Sequence, residues 1–280
     1  MGPVYVLLSI VTESTGKTID KLNFKRNRIA AQQLVLLLFI AMSVCMLLFI
    51  VLTHQPFPHM TPAALGLIAV IALVSFGSNA FDYLGLKADD LSLREPLNDF
   101  EPIVAGLIGY MLFPAERKPG FLLAFILGAV IVYWGTHRRR LRRLQRQGLI
   151  YLLIGFCLEA VLPSLYKLSL VHMSPAYITL FRVLAVLVLS RLFFSTQGLR
   201  RLSSKKLGYG LLAGGVYALG AVVSLYAIQR LGVVLTMLLM LFGPFLRYMS
   251  GYFILKENVR KGELVSSMLL AAVVLIPVVR

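Results

Sequence analysis

Ten apolar stretches follow one another along the 280 residues of this chain, each close to the roughly 17–25 residues of helix that a bilayer requires. Read against their charged or Pro/Gly boundaries, they lie near 3–20, 29–52, 62–86, 91–113, 119–135, 149–170, 175–194, 206–228, 233–255 and 262–279. Water cannot satisfy exposed backbone groups inside a bilayer, so a chain built this way crosses as helices. The expected fold class is an all-α integral membrane protein with ten transmembrane helices. Composition agrees, with 14% charged residues against about 25% in soluble domains. The first stretch is not read as a cleavable signal peptide, because it contains Glu13, Lys17 and Asp20 and lacks a basic leader.

The chain also repeats itself. Shifted by 146 residues, Gly2 and Tyr5 fall on Gly148 and Tyr151, Glu13 on Glu159, and Lys21 and Leu22 on Lys167 and Leu168. Matching leucines come easily in so apolar a sequence; matching glutamate and lysine do not. The repeat gives a first five-helix half at 1–135, a basic linker at 136–148 and a second five-helix half at 149–280. An odd number of spans makes the second half enter from the opposite side, so the halves are expected to be inverted repeats.

Loop charge tests that order. One face receives 19 basic residues, from Lys21 and Lys25 through the arginines between Arg138 and Arg146 to Lys261, and the other receives Arg117, Lys118, Arg230 and Arg280. The positive-inside bias makes the first face cytoplasmic and puts both termini outside. These short basic loops also account for the net charge of +16, so no nucleic-acid partner is expected.

A charge at mid-bilayer costs at least ~2.5 kcal/mol on insertion scales, so each one should face a cavity or a partner. Glu13 and Glu159 hold matching mid-span positions, and Glu13 and Lys17 are spaced to pair along one helix. The fourth span is the most polar: Arg94, Asn98 and Glu101 share one face, Glu95 and Asp99 its neighbour. Pro96 and Pro102 are expected to interrupt this helix where it lines a cavity. Arg182 and Arg247 stand alone in apolar sequence, and either pairing with these acids or binding an anionic substrate suits their planar guanidinium groups. Asp82, His54, His59, His137 and His172 fall near span ends and are read as interfacial. Cys45 and Cys157 are read as small core residues. No metal-ligand spacing, nucleophile elbow or phosphate loop occurs, and neither an enzyme nor a cofactor is expected. Gly106 with Gly109, and Ala213 to Gly215 with Gly220, read as sites of close helix packing.

Three segments resemble the EamA-type ten-helix carriers of the drug/metabolite transporter superfamily. Ser174 to Arg182 is similar to that family's Pro-then-Arg opening of the second span of a repeat. Phe242-Gly-Pro244, with Gly251, Tyr252 and Lys256-Glu257, resembles the end of its fourth span. Phe100-Glu-Pro102, with Gly109, Tyr110 and Glu116, repeats that pattern in the first half. The resemblance implies secondary transport of a small metabolite by alternating access through a cavity between the halves. This chain departs from the pattern in having Leu36 opposite Arg182 and an unusually charged fourth span.

The expected function is therefore a proton- or gradient-coupled carrier, an exporter of a small charged or zwitterionic metabolite. Glu13 and Glu159 are the candidate coupling or binding acids, with Lys17 beside them, and Arg182 and Arg247 the candidate anion contacts. Arg94, Asn98, Asp99 and Glu101 are expected to line the path. A flippase for a charged lipid or lipid-linked sugar is the alternative, and an intramembrane enzyme a third reading that lacks a nucleophile or metal ligands. The residues fix no oligomeric state and are compatible with a monomer. The basic loops suit the plasma membrane of a prokaryote.

Overall fold

The computed structural model describes residues 1–25, 31–88, 94–137, 146–193, 203–253 and 261–275. Eleven α-helices account for nearly all of them, with no strand among the described residues: α1 (Gly2–Lys25), α2 (Ala31–Leu52), α3 (Pro62–Ala88), α4 (Arg94–Leu112), α5 (Pro119–His137), α6 (Arg146–Ser169), α7 (Pro175–Phe193), α8 (Ser204–Leu231), α9 (Val233–Met240), α10 (Gly243–Phe253) and α11 (Lys261–Leu275). Most of the linker expected at 136–148 lies outside the described residues, as do Arg26, Arg28, Arg200, Arg201, Lys256 and Arg260.

Six helical stretches are long and apolar enough to cross a membrane: Val35–Leu52, Pro62–Asp82, Gly148–Ser169, Pro175–Phe193, Lys206–Leu231 and Val233–Phe253. Pro119–Gly135 and Leu264–Val274 are apolar but shorter. Polar and charged residues keep α1 and α4 out of this set. At 19 residues, α4 is still about 28 Å long, close to the thickness of a hydrocarbon core.

Polarity is turned inward. Leu48, Val51, Leu73, Val130 and Val188 are among many large apolar side chains on the surface, whereas Ser9, Ser14, Thr18, Asp82, Asp99 and Thr236 are buried. In water that distribution would be unstable; in lipid it is what packing requires, since the solvent is as apolar as leucine. Buried hydroxyls are largely satisfied by the preceding turn, as in Thr18 to the Ser14 carbonyl at 2.8 Å and Thr179 to the Pro175 carbonyl at 2.9 Å.

Helices distant in sequence interleave. α1 packs along α8 and α3 along α6; α2 touches α7 and α8, and α3 touches α7. α4 packs on α6 and α9, α10 on α1, and α5 on α11. The small residues singled out in the sequence sit at these seams. Gly106 lies against the Phe125 ring of α5, Gly109 against Val233, Gly214 against Ala41 and the Leu38 carbonyl of α2, and Gly220 against Thr12 of α1.

Two expectations about helix continuity are corrected. α4 runs unbroken through Pro102, while the span expected at 233–255 is split at Leu241–Phe242. There the Leu241 and Phe242 amides bond back three residues, to Leu238 and Leu239, each at 3.1 Å. Pro244 offers no N–H to the Met240 carbonyl, and the adjacent Gly243 adds backbone freedom, so α9 closes and α10 begins anew. Cys157 is exposed and so is not a core residue, whereas Cys45 is half-buried and packs against the core, beside Gly215. Asp82 is buried against Gly155 of α6.

Candidate functional site

Ionisable side chains from four helices gather in the interior. On α1, Lys17 donates to Glu13 at 2.5 Å, the i, i+4 pair that the sequence spacing allowed. On α4, Asp99 accepts from Arg247 of α10 at 2.8 Å and from the Tyr248 hydroxyl at 3.3 Å. Glu101, half a turn along α4, interacts electrostatically with Glu159 of α6, with Glu13 and Lys17 of α1, and with Arg247. Glu13 and Glu159 are thus both within the electrostatic reach of Glu101. Asn98 is half-buried on the same helix, and Arg94 begins α4 with its side chain outside the described residues. Among described side chains, this cluster holds four carboxylates and two cations.

The backbone adds polarity at the same place. Pro102 and Pro163 lie inside α4 and α6, and each lacks the N–H that would bond the carbonyl four residues earlier. Those carbonyls belong to Asn98 and Glu159. The start of α10 is beside α1, with Gly243 near Ile10, one turn from Glu13.

The two lone arginines of the sequence part company here. Arg247 is held by Asp99. Arg182 of α7 donates to the Tyr166 hydroxyl of α6 at 2.6 Å, its guanidinium 5.7 Å from that ring's centre. It forms no ion pair with a carboxylate of the described residues. Next to it, Tyr177 and Phe181 of α7 stack at 5.8 Å, and Phe57 from the 53–61 connection meets both rings edge-on. Leu36, the residue that the 146-residue shift sets opposite Arg182, is buried.

A further cluster was not legible as such. Glu116, in the short turn after α4, pairs with Lys167 of α6 and accepts the Val234 amide at 2.8 Å. Lys167 lies 4.1 Å from the centre of the Phe113 ring. A carboxylate on the first turn of α9 complements that helix's dipole and satisfies an otherwise unpaired N–H. Gly232 leads into α9 with φ 82° and has the Glu116 carboxyl where a Cβ would stand, so only glycine fits. Lys167 was visible in the repeat and Glu116 in the family-like motif, but nothing in their spacing joins them. Tyr217, whose hydroxyl donates to Asp20 at 2.7 Å, was likewise unmarked in the sequence.

No family model matches the chain, and no curated protein does. Solved structures do match: one crystal structure superposes with a TM-score of 0.76 over 99% of this chain and 96% of the other, at 14% identity. That likeness shows a shared fold.

Proposed function

We propose that the protein is a secondary transporter of the EamA type, with ten spans arranged as two inverted five-helix repeats in the plasma membrane of a prokaryote. It exports a small charged or zwitterionic metabolite by alternating access, with Glu13 and Glu159 as coupling acids. The observation that carries this reading is that Glu13 and Glu159 act electrostatically on Glu101, inside a bundle that exposes many large apolar side chains. Among the described side chains the cluster holds four carboxylates and two cations, and taking up a proton or a cation in such a cluster is the elementary step of a coupled carrier.

The packing supports the repeat. Exchanging each helix for its repeat counterpart turns α1 on α8 into α6 on α3, and α2 on α8 into α7 on α3. The same exchange turns α4 on α6 into α10 on α1, and leaves α2 on α7 and α5 on α11 as they were. A discontinuous helix beside the charge cluster, here α9 and α10, is a common element of binding sites built from such repeats.

The test is flux in proteoliposomes, using a metabolite that raises Tm in a thermal-shift screen of the purified protein. Glu13→Gln and Glu159→Gln should each lower flux at least tenfold and flatten its dependence on pH. If both variants keep the wild-type rate and pH profile, the coupling role is wrong.

A further inference from the structure

The two ends of the bundle differ in what they admit. Along the interior face of α1, Val6 and Ile10 are each 1% exposed. One turn further along that face the Glu13 and Lys17 side chains are 38% and 28% exposed. Leu7, Leu8 and Val11, on the other side of the helix, meet the lipid. The accessible surface of Glu13 and Lys17 therefore belongs to an internal opening. Val6, Ile10 and Ala227, with Leu239 and Phe242 packed around them, seal that opening toward the Gly2 end.

The Gly2 end, remote from the basic loops, is the outer end of the bundle. It is also shut between α4 and α9, where Val233 and Val234 are fully buried against Gly109. Valine packing has little force to hold such a seam in lipid, because the surroundings are as apolar as the contact. Polar groups fasten it instead. The Glu116 carboxylate pairs with Lys167 at the end of α6 and accepts the Val234 amide at 2.8 Å. Arg117 donates to the Tyr110 and Met111 carbonyls at 2.9 and 2.6 Å, which ties the Glu116 turn to the end of α4. One carboxylate thus joins the outer ends of three helices, α4, α6 and α9. Below it, α9 packs along α4 and α10 along α1, with the break at Leu241–Phe242 between them. That break allows α9 to leave α4 while α10 stays on α1.

Resting on the transport reading above, we infer that the junction of Glu116 with Lys167 and the Val234 amide is a latch. It holds the outer end shut while the Glu13–Lys17 pair is reached from the other end, and its release lets α9 swing from α4 and open the interior on the outer side.

Thiol labelling of the purified full chain tests the latch without a substrate. With Cys45 and Cys157 replaced by alanine, Val233→Cys puts a reporter in the α4–α9 seam. A water-soluble maleimide should label it slowly in this background, and at least tenfold faster after Glu116→Gln or Lys167→Gln. Glu116→Gln keeps an acceptor for the Val234 amide and so isolates the ion pair. Lys167→Arg keeps the charge and should keep labelling slow. Val186→Cys, buried on α7 away from the latch, should stay slow in every variant.

Unchanged labelling of the Val233→Cys reporter in both glutamine variants overturns the latch. So does an equal rise at Val186→Cys, which would be general loosening rather than the opening of one seam. The transport reading fails separately, whatever the labelling contrast, if no metabolite that raises Tm shows counterflow into preloaded proteoliposomes.

Discussion

α4 and the α9–α10 pair carry the same three-residue signature, Phe100-Glu101-Pro102 and Phe242-Gly243-Pro244, and fold differently around it. α4 continues through its proline, tolerating one missing hydrogen bond while wedged among α5, α6 and α9. The second span closes at Met240 and restarts at Gly243, because glycine beside proline removes both the donor and the stiffness that would carry the helix on. The middle residue makes the difference a chemical one. Glutamate at that position puts an acid within the electrostatic reach of Glu13 and Glu159; glycine makes a backbone break beside Ile10, one turn from Glu13. Asp99 of α4 and Arg247 of α10 then tie the two regions together with opposite charges.

Cutting that tie should have the largest effect. Asp99→Ala leaves Arg247 buried without its counter-charge, and unfolding in detergent should show a loss of about 3–5 kcal/mol. Replacing both residues by apolar ones of similar size should recover most of it; no recovery would mean that Asp99 matters for something other than Arg247. The prolines come next. Pro102→Ala restores a donor inside a continuous helix and should stabilise by up to about 3 kcal/mol, whereas Pro244→Ala returns a donor to the first turn of α10, after Gly243 has already interrupted the helix, and should change stability by less than about 1 kcal/mol. Equal shifts for the two would sink the contrast drawn between the regions. Smaller still is Glu116→Ala, which removes the anionic partner of Lys167 and the cap on Val234. A loss of about 1–2 kcal/mol is expected, with faster hydrogen exchange at the Val234 amide as its local signature; unchanged exchange would show that the cap does not hold α9 in solution.

The parts that were legible in the sequence are those governed by local spacing. The run of apolar helices, the glycine seams and the Glu13–Lys17 pair all follow from periodicity within one helix. Glu159 could be matched to Glu13 because the repeat makes a distant relation look local. The misjudged break shows the limit of that method: Pro102 and Pro244 read alike, and only their neighbours in space and sequence separated a tolerated proline from a helix end. Cys157 was misplaced for a related reason, since in lipid the exterior is as apolar as the core and hydrophobicity does not say which way a side chain faces.

By itself the sequence determined that this chain is helical, built for a membrane, and charged at depths where charge is costly, because bilayer thickness and helix period act on every short stretch independently. Which charges cancel was decided only by the tertiary structure. Asp99 meets Arg247 across 148 residues and Lys167 meets Glu116 across 51. Among the described residues, Arg182 is left facing Tyr166, and Glu101 forms no ion pair or hydrogen bond. Coulomb attraction depends on distance in space, and no spacing along a chain encodes that until the helices have packed.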